Sequence, residues 1–413
     1  MRIAIVGAGI SGLTAAHLLH PEHDVSVFES NPYAGGHTNT VRVDTGYATH
    51  EVDTGFIVFN DRTYPNFERL LVRLGVAWQP STMTFGVSDD AGDFEYSGAS
   101  VNGLFAKRAH LATPWFHRMV ADMVRFNRRG RDLLASDENP SLGHWLEGLG
   151  LSQAFIDRLI VPQASAVWSA DPRQMWTFPA RFLVEFFENH GMLSLRDRPQ
   201  WRTVVGGSRR YVEALVAPWR DRLRLATPVR AVERHDDHVT VTPHGGEPER
   251  FDEVVLATHS DQALALLADA TEREHEILGA IPYQANEAVL HTDRRLLPRR
   301  RRAWASWNYH LPSVTAGKPT VTYHMNRLQS LDAEQELCVT LNRTERIAPE
   351  AIIRTIPYAH PVYTREGRAA QRRHAEISGR NRTHFCGAYW RWGFHEDGVV
   401  SAMRVAERLN GSA

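Results

Sequence analysis

Arg2-Ile3-Ala4-Ile5-Val6-Gly7-Ala8-Gly9-Ile10-Ser11-Gly12 opens the chain with an apolar strand that runs straight into a glycine-rich turn. A helical repeat of Leu13, Ala15, Ala16, Leu18 and Leu19 follows, and residues 25–28 give a second strand that ends at Glu29. Glycine spacing alone is weak, but strand, turn, helix, strand and acid in this register make a complete βαβ dinucleotide-binding unit. Gly7 permits the tight turn, Gly9 lets the backbone approach a pyrophosphate, and Gly12 lets helix and strand pack closely. Ile10 and Ser11 start the helix, whose unpaired N–H groups and positive end suit phosphate. Glu29, with Ser30 beside it, lies about 20 residues past the glycines, where a carboxylate grips a ribose hydroxyl.

The rest of the composition narrows the class. With 413 residues the chain is long enough for two interleaved domains. Apolar content of 43% and a net charge of −1 are those of a globular protein and argue against nucleic acid as a partner. Lys107 and Lys318 are the only lysines, so little chemistry can rest on an amine. Cys338 and Cys386 make neither a disulfide framework nor a metal-ligand pattern, and no metal is expected. The apolar start is too short for a signal segment and no run approaches a membrane span, so the expected location is cytoplasmic.

Period and punctuation divide the chain further. A glycine-marked loop, Gly35-Gly36-His37, follows the opening unit, then a short alternating stretch at 40–43 and Asp53-Thr54-Gly55. Helical period dominates from 62 to about 191, with helices expected at 66–74, 115–134 and 151–160 and a small stranded insert at 85–96. Strands are expected at 223–232, 238–242, 252–258 and 382–388, and a last helix at 398–409. The order reads nucleotide-binding, helical, nucleotide-binding, mixed, nucleotide-binding. The expected fold is therefore α/β. A Rossmann-like FAD-binding domain (residues 1–60, 195–262 and 371–413) is interleaved with an α+β substrate-binding domain (61–194 and 263–370).

These spaced motifs resemble the flavin-dependent amine oxidase superfamily, which includes amine oxidases, phytoene desaturase-like enzymes and protoporphyrinogen oxidases. The resemblance rests on Gly7 to Gly12, Glu29, Gly35-Gly36-His37, Asp53-Thr54-Gly55, Val205-Gly206-Gly207, Pro228-Val229, Val255 to Thr258, Cys386-Gly387-Ala388 and Gly393 to Val399. Leu290 to Asp293, Ala303 to Tyr309 and Gly393 to Gly398 are similar to a bacterial subgroup of predicted NAD/FAD-binding proteins associated with cyclopropane-fatty-acid synthase-like enzymes. The resemblance implies non-covalent FAD rather than NAD, and a lipid methyltransferase as partner. The scarcity of lysine departs from the amine oxidases, which place one beside the flavin, and favours carbon–carbon desaturation.

The resemblance also implies residue roles. Gly398 and Val399 start the helix that faces the flavin, whose positive end suits the charge of the reduced ring. His37 stands where the superfamily has an arginine. Val229 meets the adenine. Thr54, Gly55, Thr258, Gly387 and Gly393 line the cofactor. His395 and Glu396, with Tyr309, are the expected catalytic residues; His310 and His324 compete for the proton-accepting role. Trp304, Trp307, Tyr389, Trp390 and Trp392 could wall the site or simply pack a sheet. The expected reaction moves hydride from an aliphatic C–H of a hydrophobic substrate, a fatty acyl chain, to flavin N5, giving a C=C bond. Amine oxidation and lipid double-bond isomerisation are the alternatives.

The basic runs 107–131 and 299–302 read either as solvated arginine faces or as a peripheral contact with the inner membrane face.

Overall fold

The computed structural model describes residues 1–194, 198–312 and 317–411. Its first lobe is built on a five-stranded parallel sheet. Its strands are β1 (Arg2–Val6), β2 (Asp24–Phe28), β3 (Leu223–Arg224), β4 (Glu253–Leu256) and β5 (Thr383–Phe385), in the spatial order β3-β2-β1-β4-β5. Side chains alternate across a strand, so β1 feeds two cores. Ile3 and Ile5 pack under the helices on one face, and Ala4 and Val6 pack on the other with Phe28, Val254 and Leu256. A strand apolar on both sides belongs in the middle of a covered parallel sheet, and β1 sits there.

Seven helices matter for the site: α1 (Ile10–Leu19), α2 (Pro65–Arg73), α3 (Val101–Leu104), α4 (Pro114–Leu134), α5 (Ala180–Asn189), α6 (Arg209–Val216) and α7 (His395–Asn410). The second lobe is a seven-stranded sheet in the order Ile352–Pro361, Tyr283–His291, Cys338–Leu341, Val321–His324, Trp307–Leu311, Phe85–Asp89, Glu95–Ser97. The sheet shares one core with α4 and α5, through Phe116, Phe126, Leu183 and Phe187.

Several expectations are corrected. The stretch 85–96 is not a separate insert; Phe85–Asp89 pairs in parallel with Trp307–Leu311 and extends the large sheet. The strand expected over 223–232 is two strands in different sheets, because Ala226 takes φ +49° and Pro228 follows. The helix expected over 151–160 is a short turn followed by a π-turn at Ile156–Ile160, next to Pro162. The last helix begins at His395 rather than Gly398, since Asp397 accepts from the Trp392 and Phe394 amides and closes the first turn early. Helix α2 lies beyond the boundary expected at residue 60, yet its Phe67, Leu70 and Leu71 share the core of α1 and α7. The boundary expected at 195 and the last two residues lie outside the described residues.

Candidate functional site

A single cavity of about 1840 Å³ runs from the β1–α1 turn into the helical lobe. Its first part is walled by backbone. Gly7 has φ +102°, a conformation that needs glycine, and its amide donates to Phe28 O at 2.8 Å. A Cβ at Gly12 would stand 1.9 Å from Gly7 O, so helix and turn touch there. A Cβ at Gly9 would meet nothing within 4 Å, leaving open space at the start of α1. The second glycine loop closes on the first: Gly35 N donates to Ala8 O at 2.8 Å, and Gly36, at φ +59°, faces Gly9 Cα. Glu29 accepts from Ala8 N at 2.8 Å and Asn31 N at 2.9 Å, which fixes its carboxylate at the cavity edge.

The structure brings most of the expected cofactor residues to this wall. Gly7, Gly9, Ile10, Ser11, Glu29, Ser30, Gly35, Gly36, His37, Thr54, Gly55, Val229, Thr258, Gly387 and Gly393 all line it. Gly12, Gly398 and Val399 do not. Gly398 lies one turn inside α7, where a Cβ would stand 2.7 Å from Ile10 Cγ2 and 2.9 Å from Ser11 Oγ. Its role is close helix packing against α1 rather than starting the helix. Asp53 also sits behind the wall. It accepts from Thr40 Oγ1, Ser208 N and Gln329 Nε2, and burial pushes its carboxyl up to about 6.

The catalytic expectations fare differently. Glu396 does not line the cavity; it accepts from Asn66 Nδ2 at 2.6 Å and Phe67 N at 2.9 Å, capping the start of α2. Tyr309 is packed in the second-lobe core, and His310 and His324 hydrogen-bond to Thr322 and Glu336 away from the cavity. His395 does line it. Its ring stacks on Phe56 at 3.5 Å, Nε2 lies 2.9 Å from Thr38 Oγ1, and burial lowers it to about 3, so it is neutral. The structure thus places Glu396 and Tyr309, both expected as catalytic, outside the cavity wall. Glu396→Gln is expected to cost about 2 kcal/mol of stability, because a cap amide loses its partner, with flavin reduction unchanged; a denaturant titration beside anaerobic kinetics checks both.

Residues not singled out by the sequence complete the site. His190, at the end of α5, lines the cavity between Phe186 at 3.8 Å and Phe394 at 6.0 Å. Its Nδ1–H donates to Phe186 O at 2.9 Å, and burial lowers it to about 4. No local pattern marks it. Tyr358 stacks on His37 at 4.7 Å, and His360 and His259 stand beside them. Of the aromatics, Trp307, Tyr389 and Trp392 line the cavity, whereas Trp304 and Trp390 do not.

The far part of the cavity is mainly apolar, with Met83, Phe85, Met119, Met123, Phe126 and Leu159 in its wall beside the uncharged Asn127 and Gln163. Glu29 is the one carboxylate among its described lining residues, and neither lysine reaches it. Among the described residues no group of His, Cys, Asp and Glu is placed to hold a metal, and no helix is long and apolar enough to cross a membrane. Cys386 is buried, with its thiol pushed up to about 12, and is not among the lining residues.

The wall suits FAD. The open face of Gly9 at a helix start would take the pyrophosphate, Glu29 the ribose, and His37, a lining residue, has its Nε2 buried without a hydrogen-bond partner. A sequence profile of the flavin containing amine oxidoreductase family matches residues 10–410. The chain is 27% identical over 260 residues to a putative flavin-containing monoamine oxidase of Mycobacterium tuberculosis, covering 60% of this chain and 54% of that protein. It is 26% identical over 207 residues to a probable zeta-carotene desaturase of Synechococcus elongatus, covering 46% of this chain and 42% of that one. The chain therefore spans about half the length of the curated relatives it matches. The cyclohexylamine oxidase of Brevibacterium oxydans superposes over 99% of both chains with a TM-score of 0.70 at 16% identity, which shows a common fold. Glycine cradle, orphaned imidazole and a profile match over nearly the whole chain agree: the protein belongs to the flavin containing amine oxidoreductase family, and its cofactor is FAD.

Proposed function

We propose that the protein oxidises an aliphatic chain, removing hydride from a C–H bond to flavin N5 and a proton from the neighbouring carbon to leave C=C. We further propose that the parallel-sheet lobe, with α2 packed into its core, holds FAD and that the other lobe holds a fatty acyl substrate. The observation that carries this reading is the apolar far cavity. An ammonium entering it would be desolvated with no carboxylate to pair with among the described residues, which is strongly unfavourable, whereas a hydrocarbon chain is stabilised by about 0.8 kcal/mol per buried methylene. The relative named as a zeta-carotene desaturase supports a long apolar substrate.

When bound, FAD would supply a two-electron acceptor. The protein residues supply the rest. Met119, Met123, Phe126 and Leu159 hold the chain and exclude water. His190 is fixed in one tautomer by Phe186 O, so Nε2 is the side of the ring that accepts a proton. Thr63 Oγ1, 3.3 Å from that nitrogen, donates to it in the resting protein and holds the ring in place.

The test is anaerobic mixing of the yellow holoprotein with fractionated host lipid. Flavin absorbance should fall with an acyl lipid that gains one double bond, and stay unchanged with simple monoamines. Bleaching by amines alone would replace this reading with amine oxidation. A shifted double bond with no net bleaching would make the enzyme an isomerase.

A further inference from the structure

The two basic runs, residues 107–131 and 299–302, are distant in sequence and meet in space. The Arg301–Ala303 turn packs beside α3, where Arg302 O lies 3.2 Å from the Cβ position of Gly103. Arg108, at the start of the 108–112 turn, reaches α3 as well, donating to Asn102 Oδ1 at 2.5 Å and Phe105 O at 2.9 Å. From 107 to 131 there are seven Lys or Arg and a single acid, Asp122, which is buried and already paired with Arg118 and Arg125. Arg108, Arg128 and Arg302 have no acidic partner among the described residues.

Exposed apolar side chains lie on the elements that carry or adjoin these cations: α3, the 108–112 turn and α4. Val101 is 76% exposed, Leu111 56% and Val124 58%. His117 Nε2 lies 2.8 Å from Leu111 O, which joins the 108–112 turn to α4. Val120, one helical turn from Val124, lines the cavity. The cavity also reaches the surface here, because Gly98, Ser100 and Val101 are exposed and line it.

Cations around exposed aliphatic side chains at the mouth of an apolar cavity match one kind of partner. We propose that this face docks on an anionic lipid bilayer, and that the substrate chain enters the cavity between Val101 and Val120 without crossing water. The charges would draw the face to acidic headgroups, and Val101, Leu111 and Val124 would sit among the upper acyl carbons. The entry route rests on the acyl-chain reading above; the docking does not.

The experiment is co-sedimentation of the full-length holoprotein with vesicles of phosphatidylglycerol and phosphatidylcholine, against phosphatidylcholine alone. Binding should require phosphatidylglycerol and weaken with salt. Arg108→Gln/Arg128→Gln/Arg302→Gln should lower binding on the order of 100-fold, and Leu111→Ser/Val124→Ser several-fold. These side chains are exposed and outside the cavity wall, so bleaching by lipid presented in detergent should be kept. Equal binding to both vesicles, or unchanged binding by the triple variant, overturns the docking. Loss of binding by the triple variant alone, with Leu111→Ser/Val124→Ser like wild type, also overturns it, in favour of a soluble polyanion. Phosphatidylglycerol-dependent binding with no lipid ever bleaching the flavin upholds the docking and removes only the acyl-chain reading.

Discussion

Gly9→Glu is expected to yield a folded, colourless protein. Gly9 has φ −77°, open to any residue, and a Cβ there meets no atom within 4 Å. A side chain can therefore be added without moving the backbone. It would project into the cavity at the start of α1, where our reading places the pyrophosphate, and add a like charge. FAD affinity should fall by on the order of 100-fold or more, about 3 kcal/mol. Gly12→Val separates fold from cofactor. Its Cβ would stand 1.9 Å from Gly7 O, so turn and helix must part, and about 3 kcal/mol or more of stability is lost before any question of binding. Flavin absorbance after desalting, beside far-ultraviolet dichroism, distinguishes the two. A yellow Gly9→Glu protein would move the cofactor out of the glycine turn.

The second large effect is acid destabilisation between pH 7 and pH 5. His190, His291 and His360 are lowered to about 4, and His310 and His395 to about 3, all chiefly by burial. In the unfolded chain these rings take up protons near their ordinary value of about 6.5. Their folded pKa values are depressed, so the unfolded state binds more protons in this window and stability falls as pH falls. At pH 5 each ring contributes about 2 kcal/mol of loss, about 10 kcal/mol together. Asp53 and Asp397 work the other way. Burial raises both to about 6, so the folded state takes up their protons first and regains about 3 kcal/mol. The net loss of about 7 kcal/mol is comparable to the whole stability of many domains. Urea titrations of the apoprotein at pH 7, 6 and 5 measure it. A flat profile would mean that the rings are hydrated and the cores less closed than the structure shows.

Much of the cofactor wall was legible because its logic is local. Gly7, Gly9 and Gly35 act through turns a few residues long, and Glu29 through the end of the strand that carries it. Glu396 misled for the opposite reason. It sits in a motif beside the expected flavin loop, but its partners are Asn66 and Phe67, 330 and 329 residues away. Tyr309 misled likewise: alternation on a strand tells which residues share a face, not whether that face meets a cavity or a core. His190 was missed because nothing around it in sequence marks a helix end that faces the cavity.

By itself the sequence determined the βαβ unit and the dinucleotide cofactor class, because hydrophobic period and glycine conformation are properties of short segments. Only the tertiary structure decided that the far cavity is apolar, with no lysine and no carboxylate among its described residues, and that two basic runs meet at its mouth. Its wall is drawn from α4, the 156–160 turn and the Phe85–Asp89 strand. Whether a charge reaches such a wall depends on which distant groups neutralise or bury it first.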